Sequence, residues 1–170
     1  MRSLQDVYGD VAMKFFFQKR GPFVHCCRAE ITEEMVFASF EQLDVKVVGL
    51  SGRSMRSVAS MFSEFAKGFE FPDYFGGNTD AFLECIRDLD WYEADGYVVV
   101  IEDGDELLAD EPHEAGWFID LMENVGKCWS EPVEEGEAWD RPSKPFHTII
   151  KTVEGRNSRF SRSETLAVVE

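Results

Sequence analysis

Phe71-Pro72-Asp73-Tyr74-Phe75-Gly76-Gly77-Asn78-Thr79-Asp80-Ala81-Phe82-Leu83-Glu84-Cys85-Ile86 is the stretch whose reading decides the fold. Pro72 cannot continue a helical hydrogen-bond ladder, so any helix before it ends there. Gly76 and Gly77 give the backbone freedom to turn, and Asn78-Thr79 reads as a helix start. Beyond that start Phe82, Cys85, Ile86 and Leu89 recur at helical spacing and predict a face turned to a core. Asp80, Glu84 and Asp88 recur every four residues, so they stack on the opposite face over about 12 Å of rise. Like charges at that spacing repel one another. A helix that keeps three of them is placed to present them to something positive.

Working outward, Val45–Leu50 reads as a strand, followed by a Ser51-Gly52 turn. Ser57 then caps a helix whose stripe is Val58, Met61, Phe62, Phe65 and Phe69. After the acidic helix, Tyr97–Ile101 is a continuous apolar run, the mark of a strand buried on both faces. Glu111-Pro112 opens a further helix with Trp117, Phe118, Leu121, Met122 and Val125 inward, and Phe146–Val153 is the last strand of this set. Residues 130–145 are rich in Pro, Gly and acid and read as a solvated loop. Strands alternating with helices imply right-handed crossovers and a small parallel sheet, an α/β fold. Upstream, residues 11–17 and 23–31 flank a Lys19-Arg20-Gly21-Pro22 turn and suggest a β-hairpin, with a short helix starting at Thr32. This divides the chain into an N-terminal extension (1–44), a central domain (45–154) and a polar, Ser/Arg-rich tail (155–170) with the composition of a mobile end.

The run from Tyr74 to Cys85 resembles the signature of the barstar family, the small inhibitors of secreted bacterial ribonucleases: aromatic-Gly-x-Asn-x-Asp-Ala, then an acid and a Cys. The order of elements from Val45 to Val153 is also similar. The resemblance implies a three-stranded parallel sheet packed with helices, an inhibitory rather than enzymatic role, and a basic ribonuclease as partner. This chain has Glu84 where the family usually has Asp, and Leu83 where it often has an aromatic residue.

The chain of 170 residues carries a formal net charge of −16, and the asymmetry is local. From Asp73 to Asp140 there are twenty-one acidic residues against only Arg87 and Lys127. Such a surface repels nucleic acid. Excess acid alone keeps a protein soluble and monomeric, whereas beside the signature it points to a basic protein partner drawn in by long-range attraction. No apolar run reaches membrane-spanning length, and the N-terminus lacks a signal-peptide pattern, so the chain reads as cytoplasmic.

The same residues supply little else. Carboxylates one helical turn apart on an exposed helix have no burial to separate their pKa values for acid–base work. Gly76-Gly77-Asn78 lacks the Lys of a phosphate loop. The Glu102–Glu106 cluster fits no calcium-loop register, and His25, His113 and His147 are scattered, so no metal, cofactor or catalytic set is expected. As a protein-binding surface the pieces cohere. Ribonuclease sites hold a phosphodiester with Arg, Lys and His, and carboxylates can stand where phosphates sit. Asp80 and Glu84 are the candidate contacts, with Asp88 on the same stripe. Tyr74, Phe75, Gly76, Gly77 and Asn78 form the adjoining loop, where Gly76 and Asn78 serve equally as loop geometry and helix cap, and Phe75 equally as core. The resemblance adds Glu123 on the next helix. An acidic adaptor with a basic partner other than a ribonuclease is the alternative.

Adjacent Cys26 and Cys27 point to opposite faces of a strand and make a poor ligand pair for one metal, and Cys85 lies on an apolar stripe. All four cysteines are therefore expected as free thiols. Mass spectrometry after alkylation of the denatured, unreduced protein should count four labels, and reductant should leave the thermal midpoint unchanged. A Cys26–Cys128 or Cys85–Cys128 bridge would contradict a reducing compartment.

Overall fold

The apolar run Tyr97–Ile101 lies within β3 (Gly96–Glu102) at the centre of a parallel sheet in a computed structural model of the protein, which describes residues 19–28, 34, 44–153, 159–160 and 164–165. Every β3 residue but the last is buried, as a strand covered on both faces must be. β2 (Val45–Ser51) flanks it on one side and β4 (Phe146–Thr152) on the other. β1 (Val24–Arg28) pairs with β4, and the two-residue β5 (Glu164–Thr165) pairs with β1. The order is β2-β3-β4-β1-β5, with every pairing parallel.

Among the described residues the sheet therefore has four full strands and a short fifth, not three. The added strand comes from the extension. Sequence pattern marked 23–31 as a strand but assigned it to a hairpin, because turn signals speak only for neighbours in sequence. In the fold both edges of β1 carry parallel partners, β4 along its length and β5 at His25 and Cys26. The first arm of the expected hairpin and the helix after Thr32 lie outside the described residues. Part of the polar tail is built in as well. Phe160 is fully buried against Phe118, ring centroids 6.3 Å apart, and its carbonyl accepts from Cys26 Sγ at 3.3 Å. Arg159 donates to the Leu107 and Asp105 carbonyls at 3.2 and 3.0 Å.

Among the described residues three helices stand with the core face of the sheet. α1 (Val58–Gly68) begins at a reciprocal cap between Ser57 and Ser60, and the Glu111 carboxylate accepts from the Val58 amide at 2.7 Å. Its Met61, Phe62 and Phe65 are buried. α2 (Thr79–Asp88) is the acidic helix. α3 (Ala115–Ser130) follows a short 3-10 turn at Pro112–Glu114 and buries Phe118, Leu121, Met122, Val125 and Trp129. These meet Val24, Cys26, Val48, Leu50, Val99, Ile101 and Ile150 of the sheet in one core. All four cysteines are free thiols. Burial pushes Cys27 up to about 12 despite Lys151 nearby, so that thiol is inert near neutral pH.

The other sheet face buries an unusual pair. His25 Nε2 and His147 Nδ1 lie 3.1 Å apart, both rings fully buried, so one nitrogen donates and the other accepts. Lys151, also buried, donates to Glu102 at 2.6 Å on the same face. His25 is pushed down to about 3, by burial first and then by the charge of His147. The unfolded chain takes up this proton near pH 6.5 and the folded one does not. The stability involved is present above pH 6.5 and is lost as pH falls toward 3. Between pH 6.5 and 5, before most carboxylates titrate, urea unfolding should weaken with a slope approaching roughly 1.4 kcal/mol per pH unit more in the parent than in His25→Gln. Parallel curves would mean that His25 titrates alike in both states.

Candidate protein-binding site

The inner side of α2 is fixed by aromatic packing. Phe82, fully buried, lies with its ring centroid 5.2 Å from Phe62, 5.3 Å from Phe65 and 6.0 Å from Phe71. Cys85, Ile86 and Leu89 complete the buried side. The last-turn carbonyl of Ile86 accepts from buried Trp129 Nε1 at 2.9 Å, a bond that leaves no orphan there and ties α2 to α3. Leu89 closes the helix in the left-handed region, with φ 50°. With four side chains pinned, the opposite face has one orientation. Asp80, Glu84 and Asp88 are all exposed on it, as the spacing predicts.

The loop before α2 divides its duties. Asn78 Oδ1 accepts from the Ala81 amide at 2.9 Å, so Asn78 is the helix cap. Gly77 has φ +69° with nothing near a hypothetical Cβ, so the turn itself requires it. Phe75 is half-buried, 5.1 Å from Phe71 and 6.5 Å from Phe62 in edge-on contacts, so it anchors the loop. Gly76 is exposed beside it. Tyr74 points the other way and is 74 % exposed, the most open large apolar residue described. Its phenol is raised by partial desolvation first, then by Cys85, Asp88, Asp90 and Glu84, which sets it in the field of the acidic face.

Toward its C-terminus the stripe is crowded. Asp88 is held above the usual carboxylate range by burial and then by Asp90, with Arg141 opposing. Cys85 beneath is raised by burial, then by Glu84 and Asp88. Asp80 sits in the first turn of α2, where the helix dipole favours an acid. The site thus offers a rigid aromatic, a glycine-rich loop without bulk, and three carboxylates in a row. Among the described residues nothing groups three or more metal-binding side chains.

Residues 45–150, well over half of the chain, match the family model described as Barstar (barnase inhibitor). The chain belongs to the barstar family. No curated protein matches it at a significant level. The match takes in the signature loop, α1–α3, β2, β3 and all but the last two residues of β4, while β1, β5 and Phe160 lie outside it.

Glu123 does not join the stripe. Its carboxylate accepts from the Phe23 amide at 2.9 Å and from the Val24 amide at 2.8 Å, the two donors that open β1. One turn on, Gly126 leaves room for Phe23, whose ring carbons would lie 2.3 Å from a Cβ there. Glu123 and Gly126 together seat β1 on α3, a task no pattern in α3 alone announces, because the partner lies 99 residues away. The sequence reads residues 130–145 as a solvated loop, and residues 131–141 carry more order than that reading implies. They are mostly exposed but ordered by a Val133–Arg141 bridge and by Asp140, whose carboxylate accepts from the Glu135 and Gly136 amides at 2.9 and 2.8 Å. A Trp at 139 in an otherwise polar stretch was the available signal, and it is 62 % exposed beside Asp88.

These roles separate in denaturation experiments. Asp80→Ala and Glu84→Ala should leave the melting of the free protein unchanged. Asn78→Ala should cost about 1 kcal/mol through the lost cap. Glu123→Ala strands two backbone amides and should cost on the order of 1–3 kcal/mol. Glu84→Ala more damaging than Glu123→Ala would reverse the assignment of which acid is structural.

Proposed function

We propose that this member of the barstar family is an intracellular inhibitor of a basic, barnase-like ribonuclease, an immunity protein that occludes the enzyme's active site with α2 and the loop before it. One observation carries the reading: three exposed carboxylates, Asp80, Glu84 and Asp88, stand in line on a helix whose inner face is fully anchored, next to exposed Tyr74. A ribonuclease site built to hold phosphates presents Arg and Lys, and carboxylates can pair with Arg in fork geometry. Tyr74 supplies rigid contact area at little entropic cost. Gly76 and Gly77 let the backbone of the partner come close. Catalysis by this chain is no part of the proposal, since Asp80 and Glu84 are both exposed to solvent.

The net charge of −16 fits a partner of opposite sign. The barnase–barstar pair is itself a standard example of steered association, so this expectation is inherited from the family rather than independent of it. Glu84 and Leu83, where the family usually has Asp and often an aromatic residue, favour one variant reading: a basic partner whose pocket is cut for a longer acid, ribonuclease or not. Free protein is proposed to be a cytoplasmic monomer. No helix among the described residues is long and apolar enough to cross a membrane.

The test is inhibition of a basic ribonuclease, any encoded beside this gene being the first candidate. In the complex Asp80 or Glu84 would be desolvated against Arg or Lys, and truncation would strand the partner's charge at a cost on the order of 2–5 kcal/mol. Asp80→Ala and Glu84→Ala should each weaken inhibition by roughly 30-fold or more. Association should slow steeply with added salt while dissociation changes little. Alanine variants that inhibit as well as the parent would reduce the family match to fold without function.

A further inference from the structure

Beyond the stripe, the C-terminal end of α2 opens into a cleft walled by the end of α3 and by residues 131–141. Two adjoining cavities, of about 340 and 540 Å³, share Asp88, Trp139 and Arg141. Trp139 is held by its own loop: its indole N–H donates to Glu135 at 3.1 Å, and neighbouring Asp140 ties the turn. The indole is 62 % exposed, and among the described residues no other ring or cation stands over it. A large aromatic surface is thus fixed open to water at the mouth of a cavity.

The charges around it are unbalanced. The smaller cavity is lined by Asp88, Asp90, Glu93 and Asp140 against Arg141 and Lys144. Both cations are turned toward the floor. The Arg141 guanidinium lies 3.9 Å over the Trp129 ring and donates to the Cys128 carbonyl at 3.2 Å, and Lys144 Nζ is 5.9 Å from the same ring. Among the described residues none of these acids forms an ion pair, although Asp88 feels the charge of Arg141 and Asp140 accepts from amides of its own loop. A planar cation could stack on Trp139 and bond to the carboxylates at its edge, an arrangement that suits guanidinium better than ammonium.

We propose that this cleft is a second recognition pocket, which takes an arginine side chain of the basic protein partner between Trp139 and the Asp88–Asp90 carboxylates. It rests on the reading above only in taking the partner to be a basic protein. Because Asp88 belongs both to the stripe and to the cleft, a partner seated on α2 reaches the pocket without leaving its surface. Asp88 is held up by burial first and by Asp90 second, and an incoming cation would offset the repulsion from Asp90.

The pocket can be tested without the ribonuclease. The 15N-labelled full chain is titrated with the amide of Gly-Arg-Gly and, in parallel, with its citrulline counterpart, which keeps the shape and loses the charge. Saturable shifts of the Trp139 indole N–H and the Asp88 and Asp90 amides are expected with arginine. Citrulline should bind about tenfold more weakly or worse, and in Trp139→Ala, which should melt like the parent, the Asp90 response should be lost. Equal shifts with citrulline, or arginine shifts confined to the Asp80–Glu84 turn while the indole stays silent, would overturn the pocket. In the ribonuclease assay Trp139→Ala should weaken inhibition about tenfold. If Trp139→Ala inhibits like the parent while Asp80→Ala does not, the pocket falls and the inhibitor reading stands. If the arginine peptide seats at Trp139 but the parent inhibits no ribonuclease, the pocket stands and the inhibitor reading falls.

Discussion

The burial of Phe82 is the contact on which the functional surface depends. A ten-residue helix bearing three like charges on one side is not stable in isolation, because short helices are marginal in water and the charges repel. What holds α2 is tertiary: Phe82 packed among Phe62, Phe65 and Phe71, with Ile86 and Leu89 beside it, and Trp129 bonded to the Ile86 carbonyl. Full burial of such side chains is worth on the order of 1.5–3 kcal/mol each. That exceeds by several fold the few tenths lost to each repelling pair. The core thereby stabilises an outer face that would be unfavourable by itself.

The same logic extends to the loop. Phe75 and Asn78 secure its geometry from within, one by packing and one by capping, while Tyr74 and Gly76 remain at the surface. Of the residues whose duties looked interchangeable in sequence, Phe75 and Asn78 are thus structural, and Tyr74 and Gly76 are left exposed. Glu123 shows the converse: an acid on the polar side of α3 that is spent on the backbone amides opening β1.

The N-terminal strand changes the family architecture more than its length suggests. By pairing with β4 it covers what would otherwise be an open sheet edge, and β5 pairs in turn with its far side. It also brings a buried histidine beside His147 and a thiol against Phe160, so described parts of the extension and tail share one sheet and core with the matched region. Exposed ion pairs such as Arg53–Asp103 and Arg56–Asp110 add little to this frame, since solvent screens them.

Local chemistry in the sequence determined the elements and their faces. The four-residue repeat of acids in α2, the Ser57 and Asn78 caps, the apolar run of β3 and the free cysteines were all readable, because helical period, capping and strand burial depend on residues a few positions apart. The partnership of β1 was not, nor was the fate of Glu123, the insertion of Phe160, or the closing of Trp139 and Arg141 onto Asp88. Each joins residues more than forty positions apart in the chain. No periodicity spans such a distance. The sequence by itself decided which side chains would be presented or buried on each element, and the tertiary structure decided which distant group each one would meet, because sheet order and helix docking are set by the packing of the whole core.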